Sequence, residues 1–468
     1  MILLVPWLQA AFALYFVIEV AFYVAFYYYM IPEANKLREP APFRDYGRDR
    51  HKLLLRIMKR IEETCKLNDT DVKTTLLRFL KEWFHSRRNP DYEAPDILTP
   101  TPTSSPENSD DEEVTHEVQS LYKEDMDDFF SWAFFGKLFS DLLEWERHEL
   151  DRVYHELEKA HDLIFLPRVK HTFYYHSKPR CMSVEPVNCL YRPLLVYLIV
   201  DLVKLGGSLL LFAKGYQRLV ASTGLVAWHR PAAAKNSSLM PLLFFHGIAP
   251  GGLMLYLPML FRSFANEPDR PVFFFENRSI SCALDFTPLT EQQTVDGVLE
   301  ILESFQYHTS KLSLVGHSFG SCPITWLLAS KRLPNIKQIV LLDPVTILLS
   351  EPDVMVNFLY AEEISKIRMV ASSELFTEYY LRRHFSWYNS ELWLESITEN
   401  CELLVCLAEK DEIINAGKVK REVERHSSGR LVYWKGAGHA DCVTSPSKWT
   451  QVKNAMLEQE LKIAQETR

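Results

Sequence analysis

One serine, one histidine and two aspartates in this chain stand where they could do nucleophilic chemistry. Ser318 lies in Gly316-His317-Ser318-Phe319-Gly320, after the apolar run LSLV and, past Ser321-Cys322-Pro323, before ITWLLASKR, which has a helical pattern. A hydroxyl is a weak nucleophile at its own pKa, so it needs an adjacent base, and the base needs an orienting carboxylate. His439, in KGAGHADC just past the last strand-like run, is the candidate base; Gly436 and Gly438 suit a loop that reaches back over a sheet. For the acid, Asp411 in LLVCLAEKDEIIN is preferred, and Asp343 in VLLDPV, one run earlier, is the alternative. His317 is expected to pack beside the turn, because it is too close in sequence to the serine to act as its base. The spacing of Gly316 and Gly320 has a steric cause: a serine at the tip of a strand-to-helix turn holds strained backbone, and the flanking chain passes close behind it.

The elements needed to hold these groups are legible from residue 239 onward. Apolar runs at 241–246, 271–275, 312–315, 336–342, 402–407 and 431–434 read as buried strands. Helical patterns at 252–265, 292–307, 321–332 and 414–426 fall between most of them, and 446–465 reads as a terminal helix. This alternation specifies a layered α/β domain, a mostly parallel sheet with helices on both faces and active groups at the C-terminal strand ends. A tetrahedral oxyanion would also need donors. The Phe319 amide, opening the helix after the serine, is one; the loop His246-Gly247-Ile248-Ala249-Pro250-Gly251-Gly252 is expected to supply the other from Ile248.

The motifs FFHG, GHSFG, the aspartate of AEKDEIIN and the histidine of GAGHAD, in that order, resemble the α/β-hydrolase superfamily over residues 239–465. The resemblance implies a metal-free, cofactor-free serine hydrolase of the lipase, esterase or amidase kind, with Ser318, Asp411 and His439 as its triad. It also implies that the aromatic insertion 346–399 caps the active site, and an apolar cap favours acyl chains. Residues 1–238 have no counterpart in a minimal member.

That N-terminal half carries its own signals. Residues 1–31 hold one charged side chain, Glu19, and are long enough to cross a bilayer. They read as an uncleaved single-pass anchor, with Trp7 and Tyr27-Tyr28-Tyr29 near its two interfaces. Lys36, Arg38, Arg44, Arg48 and Arg50 follow the span, which by the positive-inside bias places the remainder on the cytosolic side, at an endoplasmic reticulum or lipid droplet surface. Residues 32–88 are helical in pattern, 89–116 form an acidic Pro/Ser/Thr linker expected to be disordered, and 117–238 read as a helical region. Within it, 192–214 forms a second apolar helix with Tyr197, Asp201, Lys204 and Ser208 on one face, which suits a membrane interface or a re-entrant hairpin. His148, His155 and His161 read as solvated charges on an amphipathic helix and not as metal ligands.

Across 468 residues, 47% hydrophobic content supplies a large core, and a net charge of -9 argues against a nucleic-acid surface. Eight cysteines without C-x-x-C pairing suit buried thiols in a reducing compartment. The combined expectation is a membrane-anchored serine hydrolase acting on lipid acyl esters. Two alternatives are an acyltransferase that passes the acyl-enzyme to another acceptor, and a non-catalytic lipid-binding scaffold on the same fold.

Overall fold

The computed structural model describes residues 4–43, 50–88, 121–167, 175–234, 239–361, 368–426 and 429–465. The acidic linker expected over 89–116 lies outside them. The described chain forms two compact units, Glu39–Pro186, and Met1–Arg38 with Val187–Arg468.

α1 (Leu4–Ala25) runs on through a π turn, Phe26–Met30, to Ala34. The unit Glu39–Pro186 contains α2 (His51–Asn68), α3 (Val72–Lys81), β1 (Phe84–Arg88), α4 (Lys123–Phe135), α5 (Glu144–His161) and β2 (Tyr175–Pro179). Asp71 begins α3 by accepting from the Thr74 amide at 2.7 Å, and Gly136 ends α4 in the left-handed conformation that a side chain resists. β1 and β2 pair antiparallel.

The larger unit resumes with α6 (Leu194–Ala213) and then builds one eight-stranded sheet. Its strands are β3 (Gln217–Val220), β4 (Val226–Arg230), β5 (Leu242–Phe245), β6 (Val272–Glu276), β7 (Leu312–His317), β8 (Ile336–Leu342), β9 (Glu402–Ala408) and β10 (Gly429–Trp434). Their spatial order is β10-β9-β8-β7-β5-β6-β4-β3. β4 runs antiparallel to both neighbours, β3 and β6, and every other pair is parallel. Between the strands lie α7 (Leu257–Arg262), α8 (Glu291–Ser304), α9 (Ser321–Ser330) and α13 (Ala416–Arg425), with α14 (Pro446–Gln465) last. The insertion after β8 carries α10 (Asp353–Leu359), α11 (Leu375–Arg383) and α12 (Trp387–Ser390). The sheet is mostly parallel with helices on both faces, the layered α/β arrangement expected from the sequence, and the insertion after β8 is largely helical.

Both faces of the central strands are covered, so β5 and β7 are buried at every residue. Phe244, Phe274, Val315, Val340 and Leu404 fall in one core cluster, and burying such a side chain contributes about 1.5–3 kcal/mol. A buried polar relay fastens α14 to this core. Ser313 Oγ donates to Gln338 Oε1 at 2.7 Å, and Gln338 Nε2 donates to the Met456 carbonyl at 2.9 Å.

Two sequence expectations are corrected. The sheet begins at Gln217 and not at Leu239, because the hairpin β3–β4 pairs onto β6 and adds its antiparallel edge. The helix expected over 252–265 is a 3-10 turn, Gly252–Tyr256, followed by the short α7. Gly251 and Gly252 have φ of +80° and +53°, values that keep an α-helix from starting there.

Candidate active site

The strand order reverses between β5 and β7, and there the loops leaving the two strand ends part and open a crevice. Ser318 leaves β7 into this crevice and the Gly247 loop leaves β5 into it. The turn at Ser318 is tight, with φ at +52°. For a side-chain-bearing residue that conformation costs on the order of 1–2 kcal/mol. A Cβ on Gly320 would sit 2.1 Å from the Phe245 carbonyl oxygen, and one on Gly316 would sit 2.6 Å from that of Gly320. Backbone, which cannot move aside, therefore dictates both glycines.

The three residues singled out in the sequence meet here. His439 Nε2 lies 2.9 Å from Ser318 Oγ, and His439 Nδ1 lies 2.6 Å from Asp411 Oδ2. Asp411 Oδ1 accepts from the amides of Ile413 and Ile414 at 2.8 and 2.9 Å, so its own loop orients the carboxylate. The His439 amide donates to Glu412 Oε2 at 2.9 Å, which ties the two loops together. An ionised Asp411 can only accept, so Nδ1 carries the imidazole proton and Nε2 is left to accept from the serine hydroxyl. The side chains of His439 and Asp411 are 6% and 0% exposed. Burial opposes the imidazolium, but the hydrogen bond and charge of Asp411 outweigh it and hold the His439 pKa above its ordinary value.

The alternative acid, Asp343, is buried behind this relay. Its Oδ1 accepts from the Ala408 amide at 2.8 Å and its Oδ2 from the Ala440 amide at 3.3 Å. It thus bridges the end of β9, which leads to Asp411, and the residue after His439. Burial, the largest influence, pushes its pKa up to about 6 although His439 pulls the other way. His317 also lies outside the relay: its Nδ1 is 2.8 Å from Tyr256 Oη, and burial holds its pKa well below the ordinary value.

The loop after β5 can be accounted for amide by amide. Gly247 donates to Tyr256 Oη at 3.1 Å, Ala249 to the Ile280 carbonyl at 3.0 Å, Gly251 to that of Ser281 at 3.2 Å and Gly252 to that of Ala249 at 2.9 Å. Pro250 has no N–H, so Ile248 is left as the amide with no acceptor among the described residues. His246 fixes that peptide. It accepts from the Asn277 amide at Nε2, 3.0 Å, so its Nδ1–H donates to the Gly247 carbonyl at 2.8 Å. The C=O and N–H of one trans peptide point opposite ways, so the Ile248 N–H is turned away from His246. Burial lowers the His246 pKa to about 4 and keeps the ring neutral. Across the crevice, the Phe319 amide lies in the first turn, where a helix has no acceptor of its own for it. A Cβ on Gly247 would stand 3.0 Å from Ser318 Cβ, which places this loop directly against the serine.

His246 as an anchor and Tyr256 as a strut went unrecognised in the sequence. The signal available was FFHG followed nine residues on by a tyrosine in an apolar stretch, which names neither hydrogen bond. A cavity of about 710 Å³ lies beside the site, with His246, Asn277, Phe319, Thr290, Arg38 and His384 among its walls. Ser318, Asp411 and His439 do not line it, so the candidate site rests on the hydrogen-bonded relay and not on this cavity. The Phe319 ring stands 5.7 Å from those of Tyr380 and Phe385, both from the insertion.

No protein-family model matches the chain, and no curated protein matches it. Several solved structures are similar. An esterase from Thermogutta terrifontis is 13% identical with a TM-score of 0.37, covering 53% of this chain and 98% of its own. A carboxylesterase from Bacillus subtilis is 10% identical with a TM-score of 0.37, covering 56% and 97% respectively. A carboxyl esterase from the fungus Tuber melanosporum is 18% identical with a TM-score of 0.38, covering 52% and 84%.

Proposed function

We propose that this protein is a membrane-anchored serine hydrolase that cleaves acyl esters of lipids through an acyl-enzyme. The observation that carries the reading is the unbroken relay Asp411 Oδ2 to His439 Nδ1, 2.6 Å, and His439 Nε2 to Ser318 Oγ, 2.9 Å. Both distances suit proton transfer by a positioned base.

In this reading His439 Nε2 takes the hydroxyl proton as Ser318 Oγ attacks the ester carbonyl carbon. The carbonyl oxygen becomes an oxyanion held by the amides of Phe319 and Ile248, each donor contributing about 3–4 kcal/mol. His439 then gives its proton to the departing alcohol, and the acyl group stays on Ser318. Water, deprotonated by the same histidine, attacks the acyl-enzyme and releases the fatty acid and the serine. Asp411 holds the imidazole tautomer throughout and stabilises the imidazolium.

Two features support a lipid substrate. The residues around 9–34 and 194–213 are helices long and apolar enough to cross a membrane by length and composition. The insertion after β8 offers the buried ring of Tyr380 and the half-buried ring of Phe385 beside Phe319. Lys36 and Arg38 follow α1, a bias that favours a cytosolic catalytic unit.

A fluorophosphonate probe on full-length protein tests the chemistry. Wild type is expected to be labelled at Ser318, and Ser318→Ala to lose both labelling and ester hydrolysis. Substantial hydrolysis by purified Ser318→Ala would refute the mechanism.

A further inference from the structure

The apolar helix α1 has two unlike portions. Before Glu19 the side chains are exposed or half-buried, Phe16 at 65% among them, as befits lipid-facing groups, while beyond it one face is buried, with Phe26 at 1%, and the other stays exposed, with Tyr28 at 74%. Phe22, Phe26 and Ala34 are buried in one cluster with Tyr197 of α6 and with Leu375, Phe376 and Tyr379 of α11. Rings link the three helices edge to face. Phe22 to Tyr197 is 5.9 Å between centroids, and Tyr197 to Phe376 is 6.0 Å.

Polar ties fix the same junction. Glu19, the one charged side chain of α1, accepts from the Leu194 amide with both oxygens at 3.1 Å and from the Tyr191 hydroxyl. It therefore caps the start of α6 from another helix, satisfying an amide with no partner in its own. Tyr197 donates to Glu374 at 2.9 Å, and Glu374 in turn caps α11 by accepting from the amides of Phe376 and Thr377. Arg383 Nε donates to the Ala34 carbonyl at 3.1 Å, and Arg38 donates to Tyr379 Oη.

Both helices then reach the reaction centre. α11 carries Tyr380, whose ring meets that of Phe319, the residue after Ser318. α6 lies on the oxyanion loop. A Cβ on Gly207 would stand 2.3 Å from Met254 Sδ, and one on Gly251 would stand 3.5 Å from Val203. Gly207, unlike Gly206 beside it, lets Met254 seat directly on α6.

We infer that α1 and α6 form a bilayer-seated bracket whose inner part holds α11 behind the nucleophile and steadies the Gly247–Gly252 loop. The inner third of α1 is then a structural member of the cap and not a detachable tether, and its packing sets turnover even on an ester dissolved in water. The inference rests on Ser318 being the nucleophile. Phe22, Phe26 and Glu19 act as positioning residues, since they touch α6 and α11 and not the reacting atoms.

The test uses full-length protein in phosphatidylcholine vesicles, a short-chain water-soluble ester and the fluorophosphonate probe. Phe26→Ala is expected to lower kcat by about 10- to 100-fold, the scale of a small misplacement relayed to reacting groups, with KM for the soluble ester little changed. It should stay on carbonate-washed vesicles and speed hydrogen exchange in 375–383, and Phe26→Leu should recover most of the turnover. Phe16→Ser, on the lipid-facing portion, should weaken vesicle retention and leave soluble-ester turnover intact. If Phe26→Ala does not fold, Glu19→Gln preserves volume, removes the charge that caps α6, and carries the same expectation. Unchanged kcat in Phe26→Ala, or in Glu19→Gln where that variant replaces it, overturns the bracket, as does an equal loss in Phe16→Ser. Wild type that fails to react with the probe overturns the nucleophile assignment instead.

Discussion

Replacing Asp411 by asparagine is the sharpest test of how the relay works, because the surrounding hydrogen bonds dictate which way the new side chain must face. Asp411 Oδ1 accepts from the Ile413 and Ile414 amides, two donors that need an oxygen. Asparagine keeps its oxygen there and must turn its NH2 group toward His439 Nδ1, 2.6 Å away in the wild type. Nδ1 then has to accept, which moves the imidazole proton to Nε2, facing Ser318 Oγ. In that tautomer the ring cannot take the serine proton. Loss of the orienting carboxylate is worth about 10⁴ in kcat, or roughly 5.4 kcal/mol at 1.36 kcal/mol per tenfold. Asp343→Asn is the control. Its oxygens receive the Ala408 and Ala440 amides, so an NH2 group there meets a donor, with a stability cost of about 1–3 kcal/mol. Steady-state hydrolysis and urea unfolding of both variants decide the matter. If Asp411→Asn keeps most of its turnover while a well-folded Asp343→Asn loses it, the relay must be redrawn through Asp343.

The base must be neutral to act, and Asp411 holds its pKa above the ordinary histidine value, so the acid limb of kcat/KM should inflect above about 6.5. The limb should move to lower pH in the residual activity of Asp411→Asn, and a limb that stays in place would show that another group titrates. Gly320→Ala should cost about 3 kcal/mol or more and abolish probe labelling, since its Cβ would fall 2.1 Å from the Phe245 carbonyl oxygen. Wild-type urea stability in Gly320→Ala would show that the turn has room the geometry denies.

Legibility in the sequence followed the strength of each local signal. The strands β5 through β9 are predominantly apolar runs, and the turn at Ser318 is written in two glycines whose absent side chains have no space to occupy. The edge strand β3 is not legible because QRLV is mostly exposed, without the apolar run that marks a buried strand, although its partner β4 is buried. Residues 1–31 read as an anchor from their length, low charge and terminal aromatics. A helix that is apolar on all sides shows no preferred face, so the burial of Phe22 and Phe26 against α11 could not be read from their types. The roles of His246 and Tyr256 depend on which peptide group each meets across the loop, information that exists only in three dimensions.

The hydrogen bond from Arg38 to Tyr379 joins residues 341 positions apart. During synthesis at about 5–20 residues per second, roughly 20 to 70 s separate the appearance of these two partners. Throughout that interval α1 is complete while α11 does not yet exist, and until Tyr191 and Tyr197 emerge about midway, the rings of Phe22 and Phe26 lack the partners they have in the folded chain. A nascent helix of this composition in water would invite aggregation, whereas lipid can hold it until the cap arrives. In the proposed membrane-anchored reading, early insertion of α1 lets the bilayer act as a temporary partner for the same side chains that later close against α11.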